Sequence, residues 1–392
     1  MRGLIIGALC LVTLLPVSGA EERLYPEGDV FPMGGYSPDP ERDKAAGFTI
    51  AGPSYGRQDA DERLAKCEAA GLPFIYPVGL KKADLRTTDG EAQSVDIAAI
   101  QRDIRKQVAR VAESKAIYAW YLTPEELRYW RANEMEYLRA ASAAIREADP
   151  LGRPVWMYEP GHRDLASLEQ TFPYQGLAGK GMYVEYAGYG NQRGWLRWAY
   201  AQQREAVQAM KSRMVSFAVL EMFRNAPGLI GIRDAVRHDC YASLLEGAEG
   251  IMVFSFTRRS SFHDRAAFYE AYAEVAKELT QGRKLGTVFL RGKEVEGPGF
   301  EVVSGAKEVR FEVGPKAERL EVKLPSLRWK TLLWQGQQYL FVVNSAAEPV
   351  TIRWLTNTMG EPLWTAQPKI SSEGMLTLEP WQVAGFISGR NE

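Results

Sequence analysis

Histidine is almost missing from this chain, with three among 392 residues. His162, His238 and His263 stand in separate segments, whereas a metal-dependent hydrolase needs its ligands clustered. Cysteine is equally scarce. Of the three, Cys10 lies in the N-terminal apolar run, which leaves Cys67 and Cys240. Two cysteines make no disulfide framework, and both fall in helix-like segments where buried free thiols are expected. Charge of one sign is also lacking: 48 Lys and Arg face 49 Asp and Glu, so no basic field invites nucleic acid. No glycine-rich phosphate fingerprint follows any strand. No cofactor is expected. After the N-terminus, no apolar run is long enough to hold the mature chain in a membrane.

What is present begins with that N-terminus. Arg2 supplies a positive start, Leu4 to Leu15 is apolar over signal-peptide length, and Ser18-Gly19-Ala20 offers small residues for cleavage. Residues 1–20 are therefore expected to be a signal peptide and the mature chain to be secreted or periplasmic.

Strand-like runs then recur with helical segments between them: Val30–Tyr36, Phe48–Gly52, Pro73–Val78, Ala116–Leu122, Pro154–Tyr158, Gly181–Tyr186, Met214–Leu220 and Gly250–Phe256. The helix stripe Ile97, Ile100, Ile104, Val108 and Val111 steps by three and four. Eight such alternations over residues 21–284 predict an α/β fold, a (β/α)8 barrel. A doubly wound open sheet would want a ligand loop at its switch point, and none is seen. From residue 285 to 392 the texture changes to short alternating runs, Thr287–Leu290 the first of them, which predict an all-β sandwich of accessory role.

The fourth run leads straight into Thr123-Pro124-Glu125-Glu126. Thr123 reads as an N-cap, Pro124 as the first helical residue and Glu126 as the partner in a capping box, with Leu127, Trp130, Leu138 and Ile145 facing inward. Glu125 is then left at a strand end, where barrel chemistry gathers. Acidic residues are favoured in any first turn of a helix, so the other strand ends must add weight. They bring Glu159 and His162 after the fifth run, and Glu185, Tyr186 and Tyr189 from the sixth. The seventh brings Glu221 and Arg224, and the eighth Arg258, Arg259 and His263. Trp120, Tyr121, Tyr183, Trp195, Trp198 and Phe223 lie among them, Trp120 as core. Carboxylates with aromatic walls suit sugars, whose C–H faces stack on rings while hydroxyls seek charged acceptors.

In this strand order, with Ala119-Trp120-Tyr121-Leu122 before Glu125 and Phe217-Ala218-Val219-Leu220 before Glu221, residues 28–280 resemble the clan A superfamily of retaining glycoside hydrolases. The resemblance implies Glu125 as acid/base and Glu221 as nucleophile, a trailing β-sandwich, and an oligo- or polysaccharide substrate. Tyr121, Glu159, Glu185, Tyr186, Tyr189 and Arg224 are the expected substrate contacts. Many clan members carry Asn immediately before the acid/base Glu, where this chain has Pro124. That departure favours the alternative, a glycan-binding protein without turnover.

Overall fold

The structure is a computed structural model and describes residues 23–53, 59–86, 93–210, 213–223, 231–314, 319–355, 360–365, 368, 370–371 and 373–389. The segment read as a signal peptide lies outside them.

Eight parallel strands close into a barrel: β1 (Met33–Gly35), β2 (Ile50–Ala51), β3 (Phe74–Gly79), β4 (Ile117–Thr123), β5 (Val155–Trp156), β6 (Leu177–Met182), β7 (Val215–Glu221) and β8 (Gly250–Phe254). Pairing of Gly34 with Met252 shuts the ring. Helices α1 (Pro40–Ala45), α2 (Ala60–Ala70), α3 (Ile97–Ala109), α4 (Ala132–Ala148), α5 (Leu165–Thr171), α6 (Gly194–Ala209), α7 (Ile232–Glu246) and α8 (Arg265–Thr280) alternate with the strands. Side-chain alternation splits each strand between two cores. Ala119 and Tyr121, Trp156 and Tyr158, and Phe217 and Val219 fill the barrel. Trp120, Leu122, Val155 and Met157 face the helices instead.

Strand β6 shows how the interior is fitted. The sequence suggests Gly181–Tyr186, but the strand is Leu177–Met182, four residues earlier. Its inward positions are small because their neighbours are large. A Cβ on Gly179 would fall 2.3 Å from the Trp156 indole nitrogen, and one on Gly181 would fall 2.2 Å from the Tyr158 hydroxyl. Hydrophobicity therefore peaks just after the strand, in the turn that carries Tyr183 and Val184.

The helix start expected at Thr123 is also corrected. Its hydroxyl donates to Val78 O at 3.3 Å, not to a helix N–H. Glu126 takes a left-handed φ of 57°, which no helix interior accepts. Helix α4 begins only at Ala132, and Trp130 is 62% exposed. The acidic residue that organises this corner is Glu134, fully buried. It accepts from the Arg86 guanidinium at 2.6 and 3.0 Å and from Arg128 N–H at 2.6 Å.

After the barrel, the expected strand Thr287–Leu290 lies within a helix, α9 (Leu285–Arg291). It packs Leu285 and Val288 into the helix-layer core, a short apolar pair that periodicity could not distinguish from a strand. The remainder is antiparallel: β9 (Lys293–Val295), β10 (Phe300–Ser304), β11 (Glu308–Val313), β12 (Leu320–Pro325), β13 (Leu327–Trp334), β14 (Gln337–Asn344), β15 (Val350–Trp354), β16 (Glu361–Pro362), β17 (Met375–Leu378) and β18 (Val383–Ser388). Sheets β16-β18-β14-β13-β9 and β10-β15-β17 enclose Leu340, Val342, Ile352, Leu376 and Phe386, which makes the β-sandwich. The outer face of the larger sheet meets the barrel. Phe341 lies 4.5 Å from Phe289 and 6.1 Å from Tyr241, centroid to centroid.

Candidate active site

Strand parity places the two leading carboxylates. Phe217, Val219 and Glu221 share the inward face of β7, and Glu221 is paired across to Phe254 at the C-terminal end of β8. Tyr121 is inward on β4, and its hydroxyl donates to Glu125 Oε2 four residues on. Both acids thus belong to the C-terminal mouth of the barrel, where this fold assembles its chemistry.

Glu221 is 7% exposed and held through both oxygens. Oε1 accepts from Glu185 N–H at 2.5 Å and Oε2 from Tyr186 N–H at 3.1 Å. Burial pushes its carboxyl up to about 7, against the pull of those two donors and of Arg193. Two N–H groups aimed at two oxygens fit the carboxylate form, so the geometry supports an anion once pH exceeds that value. Glu125 keeps surface open to solvent but sits deep among protein atoms. That environment raises its carboxyl, Tyr121 lowers it, and the neighbouring Glu126 charge raises it again.

The turn that supplies the N–H donors is itself clamped. Arg193 is 5% exposed along its side chain and bridges Glu185 at 3.0 Å and Asp239 at 2.5 Å. Asp239 also bonds His238 Nδ1 at 2.8 Å, and His238 Nε2 reaches Ser345 Oγ at 3.0 Å. Trp381 lies over the Arg193 guanidinium at 4.8 Å. Ser345 and Trp381 belong to the β-sandwich, so the chain of contacts behind Glu221 crosses between the two parts of the molecule. Sequence reading missed Arg193, Asp239 and Trp381. None of them stands at a strand end.

Rings pave the mouth. Tyr183 stacks on Tyr158 at 5.9 Å and on Phe254 at 6.1 Å, and meets Phe223 edge-on at 5.2 Å. Tyr36 touches both Tyr121 and Phe254 edge-on. Beside this floor a cavity of about 710 Å³ opens between the ends of β5 and β6 and the β11–β12 hairpin. Its wall includes Glu126, the residue expected to cap a helix.

The other expected contacts divide. Tyr186 is 61% exposed and borders this cavity, as does Tyr189, which stacks on Trp195 at 4.9 Å. Glu185 stands behind Glu221 through Arg193. Glu159 is fully buried and shows no surface to the cleft. Outward parity on β5 turns it to Gln175 Nε2 at 3.1 Å and Arg163 at 3.5 Å. Arg224 lies outside the described residues. Cys67 and Cys240 are buried and unbridged. Among the described residues, no three His, Cys, Asp or Glu side chains gather as metal ligands, and no helix is long and apolar enough to cross a membrane.

No protein-family profile matches the chain, and no curated protein matches its sequence. Solved structures do match in shape. A catalytic mutant of Gan42B, a GH42 β-galactosidase from G. stearothermophilus, superposes with a TM-score of 0.56 at 9% identity, over 93% of this chain and 99% of that one. Eubacterium rectale Amy13B gives 0.55 at 9% identity, over 92% and 96%. AmyP in complex with maltose gives 0.52 at 10% identity, over 89% and 88%. At such identity the likeness is one of fold, and the chain has the (β/α)8 barrel with trailing β-sheets that its strand order implied.

Proposed function

We propose that the protein is an exported glycoside hydrolase that cleaves by double displacement, with Glu125 as acid/base and Glu221 as nucleophile. The observation that supports this reading is that Glu125 and Glu221 stand at the C-terminal ends of β4 and β7, the one bonded to Tyr121 and the other to the turn after β6. A retaining reaction asks one carboxyl to protonate the departing glycosidic oxygen while the other attacks the anomeric carbon, across about 5.5 Å. Glu221 is suited to attack because its charge is oriented by backbone N–H groups. Glu125 is suited to donate a proton because its surroundings disfavour charge. Export rests on the apolar N-terminus. The N-terminal residue of the protein recovered outside the cytoplasm should be Glu21.

One observation favours binding without turnover. Pro124, a residue with no N–H and no side-chain donor, precedes Glu125. The test is hydrolysis of a panel of aryl glycosides and polysaccharides by wild type, Glu125→Gln, Glu126→Gln and Glu221→Gln. Glu221→Gln should abolish turnover, and Glu125→Gln should lower it by about 10²–10⁴-fold. Loss in Glu126→Gln instead would move the acid role by one residue. Absence of turnover throughout, with saccharide binding retained, would establish the binding protein.

A further inference from the structure

We propose that Arg163 is a positioning residue for the proton donor. From the turn after β5 its guanidinium holds the carbonyl of Leu127 and, together with Arg86 on the carbonyl of Glu126, fixes the turn that aims Glu125 and Glu126. This role rests on the glycosidase reading of the site and adds to it the residue that sets the acid carboxyl in place.

The turn after β4 carries a strained residue. Glu126 has φ 57°, a conformation that a residue with a Cβ keeps only where its surroundings over-determine it. Here they do. Tyr137 Oη donates to Thr123 O, Glu126 N–H to Tyr158 O at 3.2 Å, Arg86 Nη2 to Glu126 O at 3.1 Å and Arg163 Nη2 to Leu127 O. Helix α4, the end of β5 and the loops after β3 and β5 thus contribute one anchor each. Held this way, the turn sends the Glu125 carboxylate back to Tyr121 Oη and puts Glu126 on the wall of the cavity.

Arg163 is 2% exposed, and pairing with Glu159 does not account for its placement. Its Nε stands 3.5 Å from Glu159 Oε2, too far for a hydrogen bond, and its Nη1 has no acceptor. A guanidinium placed for charge alone would close on that carboxylate through two parallel bonds. Instead its hydrogen bond goes to Leu127 O. The arginine's own backbone is fixed in turn, since Lys180 Nζ donates to Arg163 O and Arg163 N–H donates to Pro160 O at 3.1 Å. On its outer side the rings of Tyr129 and Trp130, which follow the carbonyl it holds, lie 5.2 and 6.0 Å from the guanidinium. Arg163 therefore joins the β5–β6 side of the barrel to the acid-bearing turn. Displacing a reacting group by about 1 Å can cost about 10²-fold in rate, so a bond to its main chain bears on turnover.

The experiment compares wild type with three variants. Arg163→Met is made together with Glu159→Gln, so that no buried carboxylate is left unpaired; Arg163→Lys and Glu159→Gln are made alone. Hydrogen exchange of the full-length protein is read first and requires no substrate. Amides of residues 125–131 should exchange at least about tenfold faster in the double variant, with those of β7 unchanged. Hydrolysis is read second, on a sugar that wild type releases from an aryl glycoside. Its dinitrophenyl glycoside has a leaving group that departs without a proton, whereas its methyl glycoside requires one. The double variant should lose about 10- to 100-fold in kcat/KM on the methyl glycoside and less than about threefold on the dinitrophenyl glycoside. Arg163→Lys should recover part of that loss, and Glu159→Gln alone should keep the wild-type ratio between the two substrates. Equal losses on both glycosides, as a merely structural role would give, would overturn the proposal and leave the glycosidase reading standing. So would unchanged exchange in the double variant, or the full loss in Glu159→Gln alone. No turnover of any glycoside by wild type would remove the glycosidase reading and the proton-donor role together, even with exchange showing that Arg163 holds the turn.

Discussion

Glu221 is a carboxylate whose ionisation is contested by its surroundings. Its ordinary value of 4.5 is raised to about 7 by burial, so the folded protein holds a proton there that the unfolded chain has released. Stability from this group is fully present below about pH 4.5 and is lost as pH rises through about 7. Glu221→Gln removes that dependence. Denaturant midpoints at pH 5 and pH 8 should differ less in the variant than in wild type, with about 3 kcal/mol as the ceiling on the difference. As the proposed nucleophile the same group must be charged, so kcat/KM for a hydrolysed glycoside should rise along an acid limb centred near pH 7. Arg193 lowers the Glu221 carboxyl. Arg193→Met should move the limb to higher pH, and Arg193→Lys should restore part of the shift. A limb that stays in place in Arg193→Met would show that the two backbone donors alone set the ionisation.

At the scale of elements, the sequence revealed most where one face of a helix or strand is apolar. Ile100, Ile104 and Val108 of the predicted stripe form the buried face of α3, and β7 runs where the seventh strand was expected, with Glu221 at its end. Side-chain alternation, applied to β5, would have turned Glu159 outward, because Trp156 and Tyr158 occupy the inward face. Strand β6 was hidden for a different reason. Its inward residues are glycines whose fitness lies in Trp156 and Tyr158, and no local pattern records a neighbour's volume. Gly181→Ala should accordingly force Tyr158 aside, at a cost of about 1–3 kcal/mol, and reduce saccharide binding more than stability, as paired melting and titration would show. The corner after β4 misled because Thr-Pro-x-Glu is a good capping signal. Tertiary contacts, Arg86 with Glu134 above all, set the helix start later. Arg193, Asp239 and Trp381 carried no local signal. Their meaning exists only once separate segments meet.

For the whole molecule, barrel and sandwich share a boundary built like a protein interior. Arg197 bonds Pro325 O at 2.7 Å and Arg328 bonds Leu245 O at 3.1 Å, beside the rings of Tyr241, Phe289 and Phe341. Calorimetry should show one unfolding transition for the whole chain, and two separated peaks would refute this coupling. Trp381 is 1% exposed and covers Arg193. Trp381→Ala should lower stability by about 3–5 kcal/mol, and it should shift the acid limb in the same direction as Arg193→Met.

The contact of Trp381 with Arg193 has a further consequence for how such a protein can be cut and recombined. An accessory module that merely tethers an enzyme to its polymer can be swapped like a cassette. Here a gene fragment ending at Arg291 would encode all eight strands and both carboxylates, yet it would lack the indole over the arginine and the hydroxyl that meets His238. Domain shuffling would have to carry the barrel and its sheets together, as one heritable unit.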